Sequence, residues 1–206
     1  MSRIMKGSWI VVTTLAALLF VLSALGNTFS WFVAHDSVTN QLGASQYRFD
    51  VSAVDVFAKP DTPVTPGSQI DKTVGAVNSG DLPGFVRLLV LPTVVAADGY
   101  TVLPARLGQE VIADFNTTNW ADGKDGYFYY LDVLPAGQTT PNLFTTVTLA
   151  SGLDSAYVGA SLKIEVKVEA VGIQKWEYRL GWWGSTAVPS PAPLVTVDLA
   201  LRGLAK

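Results

Sequence analysis

The sequence predicts an all-β fold, a jelly-roll-like antiparallel β-sandwich preceded by an N-terminal signal helix. Beyond Ser30, short runs rich in Val, Thr, Tyr and Phe are separated by Gly, Pro, Asp and Asn, and no segment has sustained helical periodicity. In the clearest run, Leu162 to Ala170, aliphatic and charged residues alternate strictly. A period of two places the aliphatic residues on a core face and the charged residues in solvent.

Seven further runs fit strands, and sequences such as Pro66-Gly67 supply the turn residues between them. Seven or eight strands at this spacing are typical of a sandwich or jelly roll. The predicted strands are Tyr47 to Ala58, Gln69 to Asn78, Phe85 to Leu91, Gln109 to Phe115, Tyr127 to Leu134, Leu143 to Ala150 and Leu194 to Leu201.

Two stretches, Ala156 to Ala160 and Gln174 to Gly184, fit either a short helical turn or an irregular connection. Prolines then alternate with small residues from Pro189 to Pro193, which favours an extended polyproline-like link. We therefore expect a jelly-roll domain over residues 47–186, followed by a proline-rich link and a C-terminal strand over residues 187–206.

The first thirty residues are predicted to form a secretory leader. A basic head precedes the apolar run from Trp9 to Leu25, and this order is typical of a signal peptide. The small residues Thr28 and Ser30 lie two apart, the spacing that signal peptidases favour, so we predict cleavage between Ser30 and Trp31. The alternative is a retained anchor, because Gly7 to Gly26 is about long enough to span a bilayer. Either way the remainder is exported.

Composition narrows the classes of partner. Without the leader, 12 Lys and Arg remain against 17 Asp and Glu, a net charge of −5. No basic stripe is present to neutralise phosphates, so we expect no nucleic-acid partner and membrane attachment only through an uncleaved leader. Cysteine is absent, so an exported domain would depend on core packing or assembly instead of disulfides.

Catalytic motifs are scarce, and we predict no enzyme activity, no cofactor and no metal. His35 is the only histidine and lies close to the new terminus, where a general base would be poorly positioned. The sequence contains neither H-E-x-x-H nor G-x-S-x-G. A carboxylate pair of the glycosidase type stays open, but Glu165 and Glu169 alternate with lysines as in a solvated strand face.

Three further motifs have simple structural explanations. The loop from Asp122 to Gly126 matches a hairpin turn better than a calcium loop, because the position that needs a bidentate Glu is Val133. The sequon at Asn116 indicates a surface loop. The aromatic residues from Trp120 to Tyr130 favour core packing over a carbohydrate-binding platform.

Three stretches together resemble one family of exported proteins. Residues 28–40 (TFSWFVAHDSVTN) resemble a leader boundary that is cut by a specialised SipW-type signal peptidase. Residues 66–87 are similar to that family's first sandwich hairpin. Residues 120–144, with DGYFYY and LPAGQTTPNLF, are similar to a later segment. The family is that of TasA and camelysin, jelly-roll subunits of biofilm-matrix fibres in Gram-positive bacteria. The tail from Gly172 to Lys206 lies outside the resemblance.

The resemblance implies export, a single jelly roll and polymerisation, in which an N-terminal strand completes the sheet of a neighbouring subunit. The candidate donor residues are Trp31, Phe32, Val33 and Val38, within an N-terminal segment of residues 31–46. The expected partners are further copies of the chain, a signal peptidase and an accessory or anchoring protein, and the expected location is the extracellular matrix or cell surface. The alternative is a monomeric surface adhesin or carbohydrate-binding module.

Overall fold

A computed structural model describes residues 37–40, 48–57 and 63–206, with residues 37–40 and Phe57 described by their backbone alone. The strands and helices given below belong to one compact unit, Asp36–Lys206. The expected signal helix, the cleavage residues Thr28, Ser30 and Trp31, and the donor residues Phe32 and Val33 lie outside the described residues. In the part that is described, no helix is long and apolar enough to cross a membrane.

Two antiparallel sheets pack face to face, which confirms the predicted all-β, jelly-roll-like sandwich. The first sheet has the strand order β1-β2-β3-β9-β6, and the second has the order β10-β4-β8-β7, with β5 paired to β4. The strands are β1 (Ser37–Asn40), β2 (Phe49–Phe57), β3 (Gln69–Asn78), β4 (Phe85–Val95), β5 (Val102–Leu103), β6 (Val111–Ala113), β7 (Trp120–Asp122), β8 (Tyr127–Tyr130), β9 (Phe144–Leu149) and β10 (Ser161–Val171).

The alternating residues of β10 lie on a buried face and an exposed face, as predicted. Leu162, Ile164, Val166 and Val168 are buried between the sheets, while Lys163 on the opposite face is exposed. The aliphatic residues of β10 pack with buried residues of β3, β4 and β9 in one continuous core. Burial of alternate side chains from both sheets is the main source of stability in such a sandwich.

Six of the seven other predicted strands are present. The prediction for β3 matches the structure at both ends, whereas β4 continues to Val95 and β6 is limited to three residues. The short strands β5 and β7 were not predicted, because runs of two or three residues show too little alternation to be recognised, whereas β1 lies within the candidate donor segment of residues 31–46.

The predicted strand from Leu194 to Leu201 is wrong, because this segment lies in helix α2 (Ala192–Leu204). Its buried residues Leu194, Val197 and Leu201 follow a helical spacing of three and four. Pro193 lies within the first turn, where a missing N–H removes no helical hydrogen bond. The proline run therefore ends at a helix start instead of leading into a strand.

The segment before α2 also contains helical structure. Of the two alternatives for residues 174–184, the helical one is correct, since helix α1 (Glu177–Trp183) lies there. A short 3₁₀ turn, Ser155–Tyr157, overlaps the start of the other ambiguous stretch, Ala156 to Ala160. Helices α1 and α2 cover one end of the outer face of the second sheet, and together we call them the helical cap. A second core forms beneath it from Phe85 and Tyr129 of the sheet and six residues of the tail.

Candidate functional site: the outer edge of strand β2

Strand β2 has one fully paired edge and one partly covered edge. On its inner side Val51 to Phe57 pair with β3. On its outer side β1 covers only Phe49 to Ser52, with Ser37 opposite Ser52. No strand among the described residues lies beside the outer edge of Ala53 to Phe57. This edge therefore has a row of backbone N–H and C=O groups that another strand can use.

The uncovered part of β2 contains neither of the residues, lysine and proline, that often protect edge strands. Val54 is half-buried, and Val56 is 62% exposed although it is a large apolar residue. By contrast, β10 at the edge of the second sheet has exposed Lys163 and Lys167, and such charges discourage pairing with other chains. The edge strands β6 and β7 are only three residues long. The outer edge of β2 is thus the best-suited place for strand addition among the described residues.

One ion pair lies beside this edge on the core-facing side. Lys72 of β3 faces the same side of the sheet as the buried Val74, and its side chain is only 3% exposed. Its ammonium contacts the carboxylate of Asp55 on β2, whose side chain is 31% exposed. An inward-facing charge near a sheet edge is one way in which proteins limit incorrect strand pairing.

Of the candidate donor residues, the structure describes only Val38, by its backbone. It lies in β1 opposite Val51, a core residue that is 1% exposed. The first sheet is thus extended at its outer edge by a strand from the N-terminal segment of the same chain. The sequence places Val38 in a candidate strand but identifies neither its partner nor the register.

The aromatic residues from Trp120 to Tyr130 serve packing, as predicted. Trp120, Phe128 and Tyr130 are buried in the core between the sheets. Tyr129 points to the opposite face and is fully buried beneath the helical cap, beside the half-buried Tyr127. These rings do not form the exposed flat platform that stacking on a sugar would require.

The helical cap is attached to the sheet by a polar cluster around Arg87. Its guanidinium donates from Nε and Nη2 to Glu169 Oε2, at 2.9 and 2.6 Å, and from Nη1 to the hydroxyl of Tyr129, at 3.1 Å. The guanidinium also lies 3.8 Å from the ring centroid of Tyr127 and 5.3 Å from that of Trp182. Cation–π contacts of this kind are stronger where water is excluded.

Tyr129 links the same cluster to the hairpin turn. Its hydroxyl donates to Asp125 Oδ2 at 2.7 Å and accepts from Trp183 Nε1 at 3.2 Å. Burial, together with the bond to Asp125, raises the pKa of Tyr129 to about 12. The phenol therefore stays neutral and can keep both bonds at physiological pH.

A buried ion pair joins the two helices of the cap. Arg179 donates from Nε to Asp198 Oδ1 at 2.5 Å and from Nη2 to Oδ2 at 2.6 Å, and Tyr178 donates to Oδ1 at 2.8 Å. The side chains of Arg179 and Asp198 are 4% and 1% exposed. Burial alone would raise the pKa of Asp198, but these hydrogen bonds outweigh it and lower the pKa below its ordinary value.

An open apolar cleft of about 710 Å³ lies where the cap meets the start of β2. Its lining includes Phe49 of β2, Val171 at the end of β10, Ile173 just after it, and Leu180 of α1. Phe49 is also the residue opposite Asn40, at the end of the β1–β2 ladder. The cleft is thus next to the point where the N-terminal segment joins the sandwich.

The charged motifs have local partners. As predicted, Asp122 to Gly126 form the turn of the β7–β8 hairpin, in which Asp122 and Asp125 accept bonds from the backbone N–H groups of Lys124 and Tyr127. On β10, Glu165 pairs with Lys163 and Glu169 with Arg87. Across the described ranges, no group of three or more His, Cys, Asp or Glu side chains could hold a metal ion.

The sequon residue Asn116 has a structural part in its loop. Its Nδ2 donates to Asn119 Oδ1 and to the carbonyl of Asn142, both at 3.1 Å, and its Oδ1 accepts from the N–H groups of Thr118 and Asn119. Both the nitrogen and the oxygen of the Asn116 amide therefore stabilise the loop, and the nitrogen also attaches it to the segment that contains Asn142. His35 lies outside the described residues.

No protein-family model matches the chain, and no curated protein matches it.

Proposed function

We propose that this chain is a secreted structural subunit of an extracellular or biofilm-matrix fibre, assembled by donor-strand complementation after signal-peptide cleavage. The observation that carries the proposal is the outer edge of β2, where β1 covers Phe49 to Ser52 and no strand of the described residues lies beside Ala53 to Phe57. Addition of an extended segment to such an edge supplies backbone hydrogen bonds, while its side chains supply specificity.

The length and register of the N-terminal segment support the proposal. Ser37 pairs with Ser52, and a continuation of that antiparallel register would place Asp36 opposite Ala53 and Trp31 opposite Ala58. Six residues lie between the predicted cleavage point and Ser37, and β2 extends five residues beyond Ser52. The apolar residues Trp31, Phe32 and Val33 would thereby reach the end of the strand where Val56 is exposed.

Exchange of this segment between copies would create a fibre. The link between Asn40 and Phe49 is eight residues long, so it can extend over about 26 Å. A segment that leaves its own β2 can pair with the β2 of another copy through the same contacts. Each subunit then donates one segment and accepts one, and such a head-to-tail arrangement grows without closing unless its rotation makes a ring.

The leader would act as the assembly switch. Before cleavage, Trp31 is continuous with an apolar run of membrane-spanning length, and a terminus held there cannot readily insert into a neighbour. Cleavage between Ser30 and Trp31 would release it. The partners are then other copies of the chain, the signal peptidase and an accessory or anchoring protein at the cell surface.

Negative-stain microscopy of two purified chains tests the proposal. A chain beginning at Trp31 keeps the donor segment, whereas a chain beginning at Gln46 lacks it together with β1. We expect filaments from the first chain only. Absence of filaments from the chain beginning at Trp31 contradicts the proposal, and equal filaments from both chains move the donor role away from the N-terminus.

The monomeric adhesin or carbohydrate-binding module is the alternative. Binding of the unassembled chain beginning at Trp31 to a glycan array, without filaments, would favour it. The burial of Trp120, Phe128, Tyr129 and Tyr130 leaves this alternative without its expected binding platform.

A further inference from the structure

We infer that strand β10 is a second assembly surface, which pairs edge to edge with β10 of another copy of the chain. The two strands run antiparallel, with Val166 of one copy opposite Val166 of the other, and the second sheets of the two sandwiches join into one. This contact goes beyond the proposed function, because it is lateral and uses neither β2 nor the N-terminal segment.

The outer edge of β10 is long and regular. On one side all eleven residues, Ser161 to Val171, pair with β4. On the other side, no strand among the described residues is paired with β10. Strands β1 and β2 lie near β10, but they belong to the first sheet and therefore to the other layer of the sandwich. A strand that arrives in the plane of the second sheet would thus meet a row of backbone N–H and C=O groups.

The outward face of β10 carries charges of alternating sign. Every second residue is charged, and the four are Lys163, Glu165, Lys167 and Glu169. Exposed lysines deter pairing with an arbitrary strand. An antiparallel copy with Val166 opposite itself is different, because every lysine then faces a glutamate. Glu165 faces Lys167 of the other copy, and towards the ends Lys163 faces Glu169. Opposite charges in directly opposed positions stabilise a strand pair.

Lys167 supplies the strongest part of this attraction. Glu169 already accepts two bonds from Arg87, and Lys163 contacts Glu165 of its own strand at 2.5 Å. Lys167, by contrast, forms no ion pair with any described residue. The side chain of Glu165 is 50% exposed and has two carboxylate oxygens, so it can accept from Lys163 and from Lys167 of the other copy together.

The core-facing side of β10 fits the same register. Ile164, Val166 and Val168 are 6%, 5% and 6% exposed. In the paired strands Ile164 lies opposite Val168 of the other copy, and Val166 lies opposite itself. Apolar residues therefore meet apolar residues on one face while opposite charges meet on the other. The contact is isologous, so it closes after two copies.

The charges also select one register. A slip by one residue would turn the charged face of one copy to the core side of the other. A slip by two in one direction places Lys167 opposite Lys167, and in the other direction it places Lys167 opposite Lys163. Like charges directly opposite each other destabilise a strand pair. A slip by four avoids this repulsion but leaves only seven of the eleven residues paired, since each copy loses four.

Cysteine cross-linking tests the contact, because the natural chain contains no cysteine. Two chains beginning at Trp31, one with Ser161→Cys and the other with Val171→Cys, are mixed and oxidised. In the proposed register residues 161 and 171 of different copies are directly opposed, within the range that a disulfide spans. Each variant oxidised alone is the matched control, because its two cysteines then lie at opposite ends of the ladder. We expect the mixed product to exceed each control several-fold, and equal yields would overturn the inference.

Charge reversal in these chains tests the register. Lys167→Glu in both chains leaves Glu165 facing a glutamate, and Glu165→Lys in both chains leaves Lys167 facing a lysine. Either change should lower the 161–171 product several-fold. Lys167→Glu in one chain with Glu165→Lys in the other gives opposite charges at both positions again and should restore the product. Lys124→Glu, an equal change of charge at the β7–β8 turn, is the matched control and should have no effect.

Restoration in the mixed pair is the decisive result, because a structural defect in either variant would persist in the mixture. If the mixed pair yields as little product as the two uniform pairs, the inference is overturned. The proposed function would then stand, since filaments that form through β2 do not need this contact. Cross-linking at β10 in a chain that forms no filaments would support the lateral contact and contradict only the proposed function.

Discussion

Val38 lies opposite Val51 in the ladder between β1 and β2, so β1 extends the first sheet beyond the outer edge of β2. Val51 is fully buried in the sandwich core. The position opposite it is therefore at the margin of the core and not on a detached tail. This relationship places a strand of the N-terminal segment on the outer edge of β2, and the proposed assembly depends on it.

Replacement of a core leucine tests the sandwich itself. Leu88 of β4 is 0% exposed, and Leu88→Ala should lower the free energy of unfolding by about 2–5 kcal/mol, because it removes packed atoms and leaves a cavity. Leu91→Ala on the same strand is the matched control, since Leu91 is 38% exposed and should cost less than about 1 kcal/mol. Urea unfolding compares the two variants, and equal losses would contradict the assignment of faces in β4.

The buried pair in the helical cap should be far more sensitive than a surface pair. Asp198→Asn leaves the charge of Arg179 buried without its carboxylate, at a cost of about 3–5 kcal/mol. Glu165→Gln removes a partner of Lys163 on the exposed face of β10 and should cost about 0–1 kcal/mol. Thermal unfolding of both variants checks this. A cost for Asp198→Asn as small as that for Glu165→Gln would show that the cap contributes little to stability.

Alkaline titration tests the environment of two tyrosines. The pKa values of Tyr129 and Tyr178 are each raised from 10.0 to about 12, mainly by burial and then by hydrogen bonds to Asp125 and Asp198. Since folding favours the neutral phenols, the stability linked to them is fully present below pH 10 and is lost as the pH rises through about 12. Tyrosinate absorbance should show late-ionising groups, one of which disappears in Tyr129→Phe and another in Tyr178→Phe. If the same number of tyrosines still ionises at high pH in both variants, the raised pKa values do not belong to Tyr129 and Tyr178.

The sandwich was predictable because its strands have simple patterns. The alternation from Leu162 to Ala170 and the turn residues around Gly126 are local signals, and both correspond to the observed strand and hairpin. The end of the chain was not predictable in this way. Val195, Thr196 and Val197 are β-branched and suggest a strand, yet burial against the outer sheet face and a proline at the helix start favour a helix.

The site was only partly predictable, because strand partners are not local information. The sequence indicates an apolar N-terminal segment but contains no signal that pairs Ser37 with Ser52, or that ends the described ladder before Ala53 to Phe57. The contact between Lys72 and Asp55 joins residues seventeen positions apart, and it follows only from the pairing of β2 with β3. The sequence hints at this contact through Lys72, a charged residue within the predicted strand from Gln69 to Asn78, because a charge in a strand usually needs a partner.

A disulfide lock on β1 tests most directly whether the N-terminal segment must leave its own β2 for assembly. Ser37→Cys with Ser52→Cys in one chain beginning at Trp31 places two cysteines directly opposite each other, within the range that a disulfide spans. Glu165→Cys with Leu91→Cys, an opposed pair between β10 and β4, is the matched control. With each disulfide formed within a single chain, the 37–52 lock should abolish filaments seen by negative-stain microscopy, reduction should restore them, and the control lock should have no effect. Filaments that form equally well from the chain locked at 37–52 would contradict strand exchange.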